Sequence, residues 1–135
     1  MTTAQVWLRD GLVPASEALV PINDRGFTSG DGVFEAMKVV DGRPFAVTRH
    51  LRRLTNSADI VSIGLPEDLD LRAVIEKTIE ANADRLGRIA RLRITVTAGS
   101  APAGILRSGE GPTVVVTVDP QRPHPDSLTV VTVPW

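Results

Sequence analysis

VPINDRGFTSGDGVFEAMKVVDGRPFAVTRHLRRLTNSA, residues 20–58, decides how this chain folds. A glycine-dense loop at 26–32 feeds an apolar run at 32–40. A turn at Asp41-Gly42-Arg43 follows, with a short return run over 44–47, and a helix pattern opens near Thr48. Loop, hairpin and basic helix are contiguous, which suits a binding site, because binding groups sit on loops fixed by rigid elements.

Within that stretch, strand alternation puts Phe34, Ala36 and Lys38 on one face and Val33, Glu35, Met37 and Val39 on the other. Both faces are mostly apolar, which predicts a strand covered on both sides. Glu35 is the awkward residue there. Its favoured reading is a carboxylate satisfied by backbone donors of the preceding loop, and its functional reading is a site carboxylate. Asp41-Gly42 is the strongest hairpin signal in the sequence. Thr48 is a good N-cap. Val47, Leu51, Leu54, Ala58 and Val61 then form one apolar stripe of an amphipathic helix, expected over 48–63 and ended by Gly64 and Pro66. His50, Arg53 and Ser57 flank the stripe. Taken alone, Arg53 reads as a surface charge or salt-bridge partner, and His50 as a helix-start residue bonding nearby backbone. The glycine loop reads on composition as two consecutive turns, around 23–26 and 29–32. The alternative is a backbone that approaches a ligand closely. Its spacing matches neither a P-loop nor a dinucleotide fingerprint.

Upstream, Val6-Trp7-Leu8, Leu12-Val13 and the run 18–22 predict a hairpin of two short strands, with Pro21 holding the second to an edge. Downstream, the spacing predicts a second helix over 69–86, with Glu76, Lys77 and Glu80 on its solvated face and Gly87 as its stop. Residues 89–97 alternate as a strand. Its outward face carries Arg91 and Arg93, either as a solvated face or as a binding face. A Gly/Pro/Ser-rich loop spans 98–111, a near-continuous apolar strand 113–118, a Pro-rich linker 120–125, and a buried-looking strand 128–133. The expected fold class is α+β: a mainly antiparallel sheet with two helices packed on one face.

Composition bounds the function. The chain has 135 residues, 42% hydrophobic content and a net charge of −1, with a mean hydropathy near zero. One ordinary globular domain fits these values, and neither nucleic acid nor a membrane surface is an expected partner. There are no cysteines, so disulfides and thiol chemistry are excluded, and a cytoplasmic location is the expectation. No metal-ligand spacing and no Ser-His-Asp arrangement stands out, since His50 and His124 are the only histidines. Lysines are scarce: Lys38 and Lys77 stand against thirteen arginines.

Asp24-Arg25-Gly26-Phe27, then Gly30-Asp31-Gly32-Val33-Phe34-Glu35, then His50-Leu51-Arg52-Arg53-Leu54 with Ser57-Ala58 resembles the N-terminal half of class IV pyridoxal-phosphate enzymes. That family includes branched-chain and D-amino-acid aminotransferases and aminodeoxychorismate lyase. The resemblance runs through to Thr132-Val133-Pro134-Trp135. It implies pyridoxal phosphate as cofactor, an amino-bearing small-molecule substrate and a homodimer. It implies that Arg53 holds the cofactor phosphate, a task suited to bidentate, permanently charged donation. Phe34 matches an aromatic of the substrate pocket. Ser29 stands where branched-chain aminotransferases commonly carry a tyrosine, which turns the expectation towards an aminodeoxychorismate lyase-like activity. Branched-chain or D-amino-acid transamination is the alternative. Arg93 lies near where some members carry an arginine on the substrate-carboxylate side. The family's Schiff-base lysine would lie beyond residue 135, since neither Lys38 nor Lys77 stands in its motif. The expected division is therefore a small domain over 1–118, with 119–135 as linker and start of a large domain. The isolated chain is expected to be inactive, and a non-catalytic folding or dimerisation module is the reading from a different class.

Overall fold

The computed structural model describes residues 3–102, 104, 107, 111–122, 125 and 127–133. Strands β1 (Gln5–Leu8) and β2 (Gly11–Pro14) precede a one-turn helix α1 (Arg25–Ser29). Strand β3 (Gly32–Val40), the short β4 (Arg43–Pro44) and helix α2 (Val47–Ile60) follow. Helices α3 (Leu71–Glu80) and α4 (Ala83–Leu86) lead into β5 (Ile89–Thr97) and β6 (Thr113–Pro120). The six strands form one antiparallel sheet in the order β2-β1-β6-β5-β3-β4. The α+β architecture expected from the sequence is the one observed.

One side of the sheet makes the core. Met37 and Val39 of β3, Leu92, Ile94 and Val96 of β5, and Val114, Val116 and Val118 of β6 alternate onto that side. They pack against Leu54 and Ala58 of α2 and Val74, Ile75 and Ile79 of α3. Burying an aliphatic side chain of this kind contributes about 1.5–3 kcal/mol, so the stripes of the two helices supply most of what holds them down. The β3–β4 hairpin turns at Asp41-Gly42 as expected. Both residues have positive φ (47° and 73°), and Val40 pairs with Arg43 across them, the two-residue geometry whose twist matches that of the strands.

Several expectations are corrected. Of the N-terminal runs, β1 and β2 form the hairpin through Arg9-Asp10, while residues 18–22 form no strand and carry exposed Leu19, Val20 and Ile22. Residues 25–29 form a helical turn, α1, where consecutive turns were expected. Asp24 caps it by accepting from the Gly26 N–H, and Gly30 closes it at φ 67°. Thr48 is not the N-cap of α2. That position falls to Ala46 in the left-handed region, with no side-chain cap. The Thr48 hydroxyl instead accepts from Arg72 Nη2 at 2.8 Å and ties α2 to α3. Helix α2 ends at Ile60, before Gly64. The helix expected over 69–86 breaks into α3 and α4 at Ala81-Asn82. Strand β3 is covered on one face only: among the described residues Phe34 and Lys38 remain exposed on the other. Residues 128–133 are neither strand nor buried, and pair with no described strand. Strand β6 runs two residues past the expected end at 118. His124, Pro134 and Trp135 lie outside the described residues, as does part of the loop expected over 98–111.

Candidate cofactor-binding site

Glu35 enters the core face because it shares alternation with Met37 and Val39. It is 4% exposed, and a carboxylate there must find donors or leave a costly unpaired charge. The donors come from α2, one turn apart. Arg53 donates from Nε to Oε1 at 2.5 Å and from Nη2 to Oε2 at 2.6 Å. His50 Nδ1 lies 2.8 Å from Oε2. The expectation that loop backbone donors satisfy Glu35 is therefore wrong: both partners are side chains of the helix packed over it. The bonds from Arg53 come first in holding the Glu35 carboxyl below its usual range, and those from His50 act the same way, against burial. Reciprocally, Glu35 raises the already high affinity of Arg53 for its proton.

Arg53 is thus a salt-bridge partner, as its position beside the apolar stripe suggested, and it retains capacity for more. A guanidinium has five N–H donors. The Nε/Nη2 edge faces Glu35, and among the described residues no bond is made from Nη1. The side chain is 66% exposed. An outward-facing, permanently charged fork of this kind fits a phosphate group. Arg52, its neighbour, is exposed and makes no bond to the cluster.

Phe34 and Arg93 meet on the opposite, open face of the sheet. The Arg93 guanidinium lies 3.8 Å from the centre of the Phe34 ring, and its Nε donates to Thr95 Oγ1 at 3.1 Å. Ala36 is the strand partner of Arg93, and Lys38 that of Arg91. Among the described residues no carboxylate lies within salt-bridge distance of Arg93. Of the two readings left open for the Arg91/Arg93 face, Arg93 shows stacking on an aromatic ring rather than a paired charge. The structure thus brings Phe34 and Arg93 together and puts Arg53 on the other side of β3, one residue along through Glu35. Ser29 joins neither group. It sits at the end of α1, exposed, with Oγ 3.4 Å from Thr28 Oγ1.

The loop that carries Ser29 is braced from within. Asp24 is fully buried, and its Oδ2 accepts from Thr97 Oγ1 at 3.0 Å and Thr113 Oγ1 at 2.8 Å. Asp31 is gripped by Arg107 Nε at 2.8 Å and Arg25 Nε at 2.8 Å, and Arg107 leads in lowering its pKa. Arg107 also reaches the Val61 and Ser62 carbonyls at 2.6 and 2.7 Å, tying the β5–β6 loop to the end of α2. The glycines of this loop serve packing. A Cβ at Gly26 would collide with the Thr97 side chain, and one at Gly32 would lie 2.9 Å from the Val96 carbonyl. Neither requirement calls for a ligand. Nothing in the sequence marks Asp24 and Asp31 as braces, since Thr97, Thr113 and Arg107 lie some seventy to ninety residues downstream of them.

Neither lysine is buried. Lys38 is exposed on the open sheet face. Lys77 is exposed on α3, 6.0 Å from the centre of the Trp7 ring. Among the described residues no helix is long and apolar enough to cross a membrane, and no cluster suits a metal ion.

An antiparallel sheet with helices on one face, an arginine fork beside it and a stacked arginine on the other side define a small α+β unit. The family model for amino-transferase class IV matches residues 32–134, and this chain belongs to that family. It is 36% identical over 88 residues to the D-alanine aminotransferase of Staphylococcus aureus strain N315, covering 63% of this chain and 30% of that protein. Among solved structures it resembles a hypothetical aminotransferase of Mycobacterium tuberculosis in its PLP-bound form. The TM-score is 0.75 at 29% identity, over 87% of this chain and 39% of that one. It also resembles the 4-amino-4-deoxychorismate lyase of Pseudomonas aeruginosa, with a TM-score of 0.66 at 26% identity, over 90% of this chain and 42% of that one. The chain spans less than a third of the length of the curated relative and about two fifths of the solved ones.

Proposed function

We propose that this chain is the N-terminal part of a pyridoxal-phosphate-dependent enzyme acting on an amino acid or on amino-chorismate. The observation that carries the reading is the Arg53 fork: a guanidinium fixed on one edge by a buried carboxylate and open on the other, in a chain of the class IV family. Bound there, the cofactor would supply an electron sink for bond breaking next to the substrate nitrogen. The chain's own part is to hold the phosphate through Arg53. Phe34 would present an aromatic wall, and Arg93, stacked on it, would attract a substrate carboxylate. Ser29, the last residue of α1, would border the substrate.

An aminodeoxychorismate lyase-like activity is the first reading, since Ser29 replaces the tyrosine expected of a branched-chain enzyme. A specific observation favours a second: the D-alanine aminotransferase relatives reach 36% identity over 88 residues. One experiment separates them. The full-length protein, supplied with pyridoxal phosphate, is assayed with 4-amino-4-deoxychorismate alone and with D-alanine plus a 2-oxo acid. Consumption of the first without an amino acceptor supports the lyase, and amino transfer from the second supports the aminotransferase. Neither activity would overturn both readings.

The 135-residue chain alone should form no specific covalent link to the cofactor. Lys77 is exposed beside Glu76 and Glu80 on α3, and Lys38 is exposed on the open sheet face, so neither has the burial that makes a lysine a ready nucleophile. Borohydride trapping with pyridoxal phosphate followed by peptide mapping should mark no single lysine. Selective labelling of Lys38 or Lys77 would contradict this. The working assembly we infer is a homodimer in the cytoplasm, and a non-catalytic dimerisation module remains the reading if the full-length protein proves inert.

A further inference from the structure

We propose that Glu35 is a positioning residue for the cofactor phosphate: it grips the Nε/Nη2 edge of Arg53 and one ring nitrogen of His50, so that the opposite edge of the guanidinium stands preset towards the phosphate. The inference rests on the reading of Arg53 as the phosphate ligand and adds what makes that ligand effective. Position 35 falls in an apolar series with Met37 and Val39, where a third hydrophobic side chain would pack without desolvating a charge. The chain keeps a carboxylate there instead. That carboxylate sits 5% exposed while the arginine it holds is 66% exposed. The anchor is thus in the protein and the free donors are in solvent. A solvated arginine has several rotatable bonds, and binding an anion would have to freeze them. Two short bonds to Glu35 freeze the plane of the guanidinium beforehand. His50 closes the cluster from the previous helical turn, with Nδ1 2.8 Å from Glu35 Oε2 and 3.4 Å from Arg53 Nη2.

Glu35 has an opposing effect, because its negative charge weakens the pull of Arg53 on a dianion. The two effects predict opposite outcomes for Glu35→Gln, which keeps the shape and removes the charge. If charge cancellation dominated, phosphate binding would tighten. If pre-orientation dominates, as we infer, it weakens. Near an exposed guanidinium the screened charge effect is small, whereas the loss of orientation is felt in full.

The test compares pyridoxal phosphate with pyridoxal, which lacks the phosphate, on the full-length protein. The readout is the ratio of their affinities in the wild type, Glu35→Gln and Arg53→Ala. We expect Glu35→Gln to lower the ratio about tenfold and Arg53→Ala to lower it at least as far. A fall with Arg53→Ala and none with Glu35→Gln would overturn the positioning role while leaving the functional reading intact. No fall with either would overturn both. An equal loss of affinity for both ligands in Glu35→Gln would mark a merely structural role and overturn the proposal, as would tighter phosphate binding. Should Glu35→Gln fail to fold, Glu35→Asp retains the charge and draws it back by one methylene. It is expected to lower the same ratio, and a wild-type ratio would overturn the proposal.

Discussion

Among the described residues, Glu35 and Asp31 are the two carboxylates whose pKa the fold depresses, the first through Arg53 and His50, the second through Arg107 and Arg25. A carboxylate with a lowered folded-state pKa stabilises the fold above its unfolded value, and that stability is lost as pH falls through the folded value. Urea midpoints should therefore hold steady around neutrality and drop as the pH descends through and below the usual carboxylate range. Glu35→Gln should lose about 1–3 kcal/mol near neutrality, the cost of weakening bonds to a buried charged group, and its acid-side slope should be shallower than that of the wild type. A slope unchanged in Glu35→Gln would mean that the cluster contributes nothing to acid sensitivity. The partners of Glu35 were partly legible in the sequence. Strand alternation grouped it with Val33, Met37 and Val39, and helix spacing put His50 and Arg53 beside the apolar stripe. What the sequence could not supply was the register between β3 and α2, which decides that these two neighbours meet.

At the scale of elements, the least legible feature is the break between α3 and α4. Asn82 falls within the helical pattern that the spacing predicts over 69–86. It is nearly fully buried and bonds two elements far apart in sequence. Its Oδ1 accepts from the Gln5 N–H at 2.9 Å, and its Nδ2 donates to the Gln5 carbonyl and the Thr78 carbonyl, both at 2.8 Å. It stands in for a strand neighbour and pins β1 beneath the helices. Asn82→Ala should cost about 2–3 kcal/mol, since it leaves half-buried backbone groups of Gln5 unpaired. A urea titration showing a loss within ~0.5 kcal/mol of the wild type would contradict this, because surface changes are of that size. The helix stripe, the β5 alternation and the Asp41-Gly42 turn were legible because each is a local pattern. The start of α2 was not: Thr48 looks like a cap, but the geometry of the tight hairpin puts Ala46 at the turn and frees the Thr48 hydroxyl for Arg72.

At the scale of the whole molecule, the six-stranded sheet covers one face with helices and leaves the other open. Phe34 is 57% exposed there. Phe27 and Phe45 are exposed elsewhere, and aromatic exposure of this kind marks surfaces that meet partners. The full-length protein should sediment as a dimer or larger across micromolar concentrations, and a monomer throughout would contradict the inferred assembly. The α+β class was legible because periodicity separates strands from helices along the chain. The openness of one sheet face was not: an apolar run such as 32–40 looks covered on both sides whatever covers it. Residues 128–133 misled for the same reason, since their apolar composition is that of a buried strand, yet they are exposed here.

We propose that Arg53 holds the phosphate of pyridoxal phosphate in the full-length class IV protein. Arg52 provides the internal control, being adjacent on α2, equally charged and outside the Glu35 cluster. The most direct measurement is the dissociation constant of pyridoxal phosphate for Arg53→Ala and Arg52→Ala in the full-length protein. The account expects Arg53→Ala to weaken retention by about one to two decades, the span of a lost charge-assisted contact, and Arg52→Ala to leave it within about twofold of the wild type. Equal affinities for the two variants would contradict the account.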